Sequence, residues 1–600
     1  MTSSSPNIPP SHTDVLIVGA GWAGSIMAKE LTEAGLSVTI LERGHEHKTA
    51  VEGAYPDSID ELRGSVRKRL FQDLSRNSLT IRHTLNQTAL PYRQLSAFLP
   101  GEGVGGAGLH WSGCQFRATK DDLRLRSVTI ERYGHRFIPE DMHLQDYGVT
   151  YEELEPYFDK AEKIFGTSGE AHSVNKHITG KGNVFAPDRS DHFPLPPLAD
   201  TFSGEKFRQA CSDVGFHPYS IPAANASQPY TNPYGCQMGP CNFCGYCSGY
   251  DCYLYSKASP NVNILPALRP HPRFTLITEA QVLRINLTKD RKHATGATYI
   301  DLNTQQENTI SADLVILSAF QLYNVHLMLL SGIGQPYDPA KQTGTVGRNF
   351  FYQTITSSRI WLPKNQYTNQ FIGAGGAGVA IDDFNHPGFD RGPLGFIGGS
   401  PIWVNQAGIK PIAAATAGGG KNRPRWGSTY KHDMIETYKH SLSIDAHGSN
   451  MTYRDTYLDL DPTWKNVYGQ PLLRMTFTWK ENDIRMNRYI VEQLKPIAHA
   501  MGATRADFNM LEPGQLFDSR FYQTTHLGGG AVMGDNPQTS ALNRYLQSWD
   551  VSNVFVIGSN AFPQGMGYNP TGLVAALAYW SAHHIRTRYL SSPGPLVPAL

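Results

Sequence analysis

The stretch that most constrains this chain is residues 14–44, DVLIVGAGWAGSIMAKELTEAGLSVTILERG. Val15, Leu16, Ile17 and Val18 form a short apolar run suited to one buried parallel strand. Gly19, Gly21 and Gly24 follow as G-x-G-x-x-G. Ile26, Met27 and Leu31 then recur at helical spacing, and Gly35 stands where that helix would stop. A second strand, 38–41, ends at Glu42. This is the order a dinucleotide site requires. Gly19 permits the tight turn, Gly21 lets backbone approach a pyrophosphate, and Gly24 lets helix close on strand. The helix N-terminus offers free N–H groups to phosphate, and Glu42 stands where an acid accepts a ribose hydroxyl. A position near the start of a long chain favours FAD over NAD.

Six hundred residues exceed one comfortable core, so two interleaved or consecutive domains are expected. The formal charge of +1 makes no case for nucleic acid. No apolar run approaches the roughly 18–20 residues of a membrane span. The opening MTSSSPNIPPSHT has neither a basic nor an apolar segment of a secretory signal, and taken alone it points to the cytoplasm. Five of the seven cysteines fall between Cys236 and Cys252, which reads as a local cofactor site rather than a disulfide framework.

Along the chain, a charged stretch at 58–77 reads as a helix. Residues 101–113, GEGVGGAGLHWSG, hold six glycines in thirteen positions, so backbone there presses close to something. Residues 150–166 read as a helix: Thr150 and Glu153 form a capping box, and Leu154, Phe158, Ala161 and Phe165 form one apolar face. From about 187 to 260 the chain is rich in Pro, Gly, Tyr and Cys, and loops held by a cluster are expected. Strands return at 274–277, 282–287 and 314–317, so the nucleotide-binding fold resumes after an insertion. Residues 350–517 carry scattered strands, glycine-rich loops at 373–378 and 418–420, and a helix at 482–501 that Pro496 should kink. The tail is a strand at 554–557, a loop, and a helix at 571–586.

These pieces in this order resemble the glucose–methanol–choline (GMC) flavoprotein oxidoreductases. The stretches that carry the likeness are VGAGWAGSIMAKEL, GGAGLHW, VILSAFQLYNVHLMLLSGIG, VGRNF, HLGGGAVMG and NVFVIGSNAFPQGMGYNPTGLVAALA. Within that group, TNPYGCQMGPCNFCGYCSGYDCYLYSKASP and NRYLQSWDVSNVFVIG resemble the flavoprotein large subunits of membrane-bound gluconate 2-dehydrogenases. The resemblance implies an α/β chain, α+β overall, in which a Rossmann-like FAD-binding domain is interleaved with a substrate domain built on an antiparallel sheet. The FAD-binding parts are then 1–115, 262–349 and 542–600. The substrate domain is 116–261, with a Cys-rich segment at 236–252, and 350–541. The resemblance further implies oxidation of a secondary alcohol of a sugar acid, D-gluconate to 2-keto-D-gluconate, by hydride transfer to flavin. It implies a cytochrome c subunit and a small subunit bearing a twin-arginine signal, hence a periplasmic place with the membrane reached only through a partner. Related 2-ketogluconate, polyol and sugar dehydrogenases share the scaffold. A sugar oxidase using oxygen and a zinc-stapled binding protein on a vestigial flavin fold are the rival readings.

Alcohol oxidation needs a group to take the hydroxyl proton as hydride leaves carbon, and a neutral imidazole does this near pH 7. A second polar group must aim the C–H bond. By the resemblance these are His526 in THLGGG and Asn569 in GYNPTG, whereas His326, flanked by leucines in a helical pattern, reads as structural. Cys241-x2-Cys244-x2-Cys247-x4-Cys252 brings thiolates together from one loop as Fe–S clusters require, with Cys236 a further candidate. Zinc is the alternative, and the spacing leaves three irons or four open. A cluster would pass a flavin's two electrons singly to a cytochrome, which zinc cannot do. In related enzymes the histidine of a GGxxxHW stretch, here His110, is bonded covalently to the flavin. Further FAD contacts are expected at Gly105, Gly106, Val282, Gly558, Asn560, Pro570 and Thr571.

Overall fold

A computed structural model describes residues 10–598 except 48, 50–58, 72, 74, 75, 77, 94–97, 418–424 and 519–523. The glycine-rich loop expected at 418–420 and the ends of the stretch expected to be helical at 58–77 lie outside the described residues. What is described of that stretch holds one π-helical turn, Leu62–Val66.

Val15–Val18 and Val38–Leu41 are no more than 5% exposed, so both faces of these strands are covered and their sequences are apolar but for Thr39. They sit in a seven-stranded sheet. Its parallel part runs Phe274–Ile277, Val38–Leu41, His12–Val18, Glu307–Leu317 and Val554–Val556. The first half of Glu307–Leu317 also pairs antiparallel with Ala294–Asp301, which pairs with Ala280–Leu287. Three distant stretches of sequence therefore build one sheet, as expected for a resumed nucleotide-binding fold. The strand Ala294–Asp301 was not anticipated.

Helix Trp22–Glu33 begins immediately after the glycine turn and is almost wholly buried. The final helix, Thr571–His584, packs between it and helix Tyr151–Phe165. The latter starts at the expected Thr150–Glu153 capping box, buries Leu154, Phe158, Ala161 and Phe165, and ends on Gly166 in the left-handed region.

A second, antiparallel sheet of six strands runs Arg505–Phe508, Thr354–Trp361, Ser441–Gly448, Ile402–Asn405, Gly378–Ile381 and Tyr219–Ser220. Alternation along its strands sorts the side chains. Ile360, Val379, Ile381, Ile402, Val404, Leu442, Ile444 and Ala446 form a core with helices Phe202–Asp213 and Glu481–Ala500. Asp445, His447 and Trp403 occupy the other face. Helix Glu481–Ala500 continues through Pro496. A smaller four-stranded sheet joins Leu79–Arg82 and Leu90–Tyr92 to Tyr457–Lys465 and Pro471–Thr476. Between helix Phe202–Asp213 and residue 260 there are only loops and two-residue strands. No helix among the described residues is long and apolar enough to cross a membrane.

Candidate active site

A crevice opens at the C-terminal ends of the parallel strands His12–Val18 and Glu307–Leu317, the usual nucleotide position in such sheets. The three glycines divide the work there. Gly19 adopts φ +99°, and a Cβ on it would lie 2.6 Å from the carbonyl oxygen of Ser318. A Cβ on Gly24 would lie 2.0 Å from the carbonyl oxygen of Gly19, so helix and turn could not close with any other residue. A Cβ on Gly21 would meet nothing within 4 Å, because that position faces the open crevice.

Gly19, Gly21, Glu42, Gly106, Val282, Gly558, Pro570 and Thr571 all stand on the crevice wall. Glu42 is anchored there by the Ala20 N–H at 2.8 Å and the Gly44 N–H at 2.9 Å, while burial raises its pKa despite these donors. Gly24, Gly105 and Asn560, expected as cofactor contacts, stand behind the wall. Gly105 donates its N–H to Ala20 and pins the glycine-rich loop to the turn. Asn560 is fully buried, its Oδ1 accepting from Asn324 Nδ2 at 2.8 Å, and it braces the turn after the last strand. His326, read as structural, lies on the wall with Nε2 2.8 Å from the Pro471 carbonyl oxygen.

Thr525, Pro570 and Thr571 line the crevice, and the adjoining residues His526 and Asn569 meet, Nε2 to Nδ2, at 3.3 Å. The other ring nitrogen of His526 is 2.6 Å from Oε1 of Gln353. Gln353 spends its amide N–H groups on the carbonyls of Met566 at 2.6 Å and Tyr568 at 3.0 Å. Its orientation is thereby fixed, and its oxygen can only accept. Nδ1 of His526 therefore carries the proton, and Nε2 presents its lone pair. Burial lowers the His526 pKa to about 3, so the ring is neutral at ordinary pH. His447, on the free face of the antiparallel sheet, lies with its ring 5.0 Å from that of His526 and 4.2 Å from Trp403. Beneath the pair, buried Asp382 accepts from Tyr568 Oη at 2.7 Å and Tyr219 Oη at 3.0 Å, which ties the residue before Asn569 to the antiparallel sheet. Gln353, His447 and Asp382 were not singled out from sequence. Each owes its place to contacts across more than 70 residues, and none sits in a recognisable local motif.

His110 is 3% exposed and is not on the crevice wall, whereas Gly106–Gly108 just before it are. Its ring stacks on Phe71 at 4.1 Å, its Nε2 has no hydrogen-bond partner, and burial, then Lys257, lowers its pKa to about 3.

Cys241, Cys244, Cys247 and Cys252 face one another closely enough that each of the first three feels the charge of others in the set. Burial is the main cause that raises the thiol of Cys241 to about 11 and that of Cys247 to about 12. Donors surround the sulfurs, among them the Lys257 N–H, 3.4 Å from Cys252 Sγ. Among the described residues, no three of these sulfurs lie within 4.8 Å of one another. Cys236 is separate: its thiol faces the Ala267 backbone and Lys29, because the hairpin of Tyr230–Thr231 and Gln237–Met238 turns it inward.

Comparison with known proteins agrees with this geometry. An FAD binding domain model matches residues 12–56, and GMC oxidoreductase models match 143–355 and 453–578. A gluconate 2-dehydrogenase flavoprotein from Pantoea cypripedii is 61% identical over 98% of this chain and 95% of its own length. The fructose dehydrogenase large subunit of Gluconobacter japonicus is 23% identical over 95% of this chain and 97% of its own. A variant of Aspergillus oryzae formate oxidase superposes with a TM-score of 0.62 at 14% identity, covering 97% of this chain and 100% of that one, a likeness of fold. With a glycine turn shaped for a dinucleotide, a His–Asn pair beside it and these matches over nearly its whole length, the chain belongs to the GMC oxidoreductase family.

Proposed function

We propose that this chain is the FAD-binding subunit of a dehydrogenase that oxidises the C2 alcohol of D-gluconate to 2-keto-D-gluconate. The observation that carries the reading is the His526–Asn569 pair beside the crevice, with the base nitrogen fixed by Gln353. The relative that is 61% identical supplies the substrate. The crevice fits FAD: Gly21 leaves room where a side chain would stand, Glu42 suits a ribose, and the start of helix Thr571–His584 lies on the wall. Bound there, FAD supplies the hydride acceptor.

The chain's own residues do the rest. Nε2 of His526 takes the hydroxyl proton, and Nδ1 keeps its bond to Gln353 as charge develops on the ring. Asn569 Nδ2, which donates to Nε2, turns to hold the substrate oxygen and so orients the C–H bond. His110 is the residue we assign to covalent attachment of FAD. Its Nε2 has no hydrogen-bond partner; the N–C bond would replace a C–H bond of the flavin, whose two electrons the flavin ring itself would take, and the His110 ring would have to shift toward the crevice.

Cys241, Cys244, Cys247 and Cys252 are assigned to an Fe–S cluster of three or four irons. Zinc at about 2.3 Å from each thiolate would hold sulfurs about 3.8 Å apart. The single run Cys241-x2-Cys244-x2-Cys247, unlike two separated C-x2-C knuckles, suits ligands that each bind a different iron. The cluster supplies one-electron transfer to a cytochrome c subunit. Export with a signal-bearing small subunit to the periplasm completes the reading. The division into FAD-binding parts 1–115, 262–349 and 542–600 and the intervening substrate domain is part of this proposal.

The test is anaerobic single-turnover flavin reduction by D-gluconate. His526→Ala should retain FAD and slow the step by roughly a hundredfold or more, the scale of a lost general base. A rate equal to the unaltered protein's would overturn the assignment.

A further inference from the structure

Lys257 is 1% exposed, and burial lowers the pKa of its ammonium. Its Nζ lies 3.0 Å from the Leu109 carbonyl oxygen, 2.9 Å from that of Trp111, 2.7 Å from that of Cys247 and 2.8 Å from that of Tyr250. Carbonyls only accept, so four of them around one nitrogen call for the fully protonated, cationic form. The four acceptors come from two places. Leu109 and Trp111 flank His110 in the glycine-rich loop whose Gly106–Gly108 turn lines the crevice. Cys247 and Tyr250 belong to the cysteine loop. Two further bonds fasten the same seam: the Gly249 N–H to the His110 carbonyl at 2.8 Å, and Trp111 Nε1 to the Ala258 carbonyl at 2.7 Å. The charge of Lys257 acts on His110 on one side and on Cys247, Cys252, the buried carboxylate of Asp251 and Cys244 on the other.

A buried lysine is an expensive way to join two loops, since a neutral donor would satisfy carbonyls without desolvating a charge. The buried Asp251 carboxylate offsets part of that cost, and negative charge arriving at the cysteines would offset more. We propose that Lys257 is a positioning residue that locks the flavin-side loop to the cysteine loop and raises the reduction potential of the centre bound by the cysteines. This rests on the Fe–S reading above. The two electrons taken from each substrate molecule leave one at a time toward a one-electron haem acceptor. Each passage adds a negative charge beside the cysteine loop, and a fixed cation nearby stabilises it. Lys257 itself gains and loses nothing in the step.

The test uses the whole protein with its cofactors, the variants Lys257→Met, Lys257→Gln and Lys257→Arg, and four measurements. These are FAD and iron per chain, the rate of flavin bleaching by D-gluconate, the rate of cluster reduction, and the cluster potential from a spectroscopically followed redox titration. The neutral variants should keep FAD and iron and bleach within threefold of the unaltered rate. Their cluster should be reduced at least tenfold more slowly and titrate at lower potential. Lys257→Arg should restore the potential. A purely structural lysine would move stability and leave the potential alone, so neutral variants with unchanged potential and transfer rate overturn the inference. Should neither neutral variant fold, Lys257→Arg decides: a folded protein with the original potential supports it, and one with a lowered potential overturns it. Unaltered protein that holds FAD but no iron or sulfide would instead overturn the cluster reading itself.

Discussion

Gln353 offers the sharpest perturbation of the proton-accepting group, because it sets the tautomer of His526 without standing on the crevice wall itself. Gln353→Leu removes three bonds at once, those to His526 Nδ1, the Met566 carbonyl and the Tyr568 carbonyl. Each buried group left without a partner costs about 1–3 kcal/mol. The ring is then free to present an N–H at Nε2, and flavin reduction should fall by roughly a hundredfold, near the effect of removing the base. Gln353→Glu asks a finer question. A carboxylate still accepts from Nδ1, so the tautomer survives, while its second oxygen faces the Met566 and Tyr568 carbonyls without a proton to donate and the fold loses stability there. An opposite charge at that distance raises a histidine pKa by about 1–3 units. His526, held near 3 by burial, would then titrate at about 4–6. Only the neutral ring accepts a proton, so activity is lost as pH falls through the folded-state pKa. The unaltered protein should show no acid limb from His526 above about pH 4, whereas Gln353→Glu should gain one within the range 4–6 and keep most of its rate at pH 7. Anaerobic stopped-flow bleaching of the flavin between pH 4.5 and 8 reads both. Identical pH profiles in the two proteins, together with a Gln353→Leu rate within threefold of the original, would refute the tautomer argument.

Three other outcomes follow from the same geometry. Gly21→Val should leave the apo fold intact and abolish FAD retention, whereas Gly24→Ala, with its Cβ 2.0 Å from the Gly19 carbonyl oxygen, should lower the melting temperature even without FAD. Flavin absorbance after refolding and thermal melts of apo protein separate the two. Cys244→Ser should cut iron and acid-labile sulfide and stop reduction of the haem partner while gluconate still bleaches the flavin. Zinc without iron in anaerobically purified, active protein would contradict this. Acid precipitation should leave yellow flavin on the protein, and His110→Ala should release it; free flavin from the unaltered, active protein would remove the covalent assignment alone.

Local signals in the sequence carried the nucleotide-binding unit. The apolar runs, the glycines at fixed offsets and the Thr150 capping box each depend on neighbours within a few residues, and each takes its expected form. The cysteine run puts four thiols of one loop near enough for the first three to feel the charge of others in the set, while Cys236, a further candidate from its position in the sequence, faces elsewhere. What could not be read is whatever the long-range contacts decide. Gly105 and Asn560 were expected to touch the cofactor, and although they lie beside residues that line the crevice, the chain's path puts them behind its wall. Gln353 sits in the ordinary-looking run FFYQT, His447 acquires its place from strand register opposite Ile355, and Lys257 is a lone lysine until two loops close around it. Strand Ala294–Asp301 escaped notice because its Gly296 and its threonines dilute the apolar alternation.

On the proposed function, D-gluconate is oxidised at this chain's own flavin with His526 as the proton acceptor. Anaerobic addition of D-gluconate to purified holoprotein, with flavin absorbance followed in time and the product identified, tests it most directly. Rapid bleaching with stoichiometric 2-keto-D-gluconate is the predicted result. A flavin that stays oxidised with D-gluconate yet bleaches with an alcohol lacking a carboxylate would contradict it.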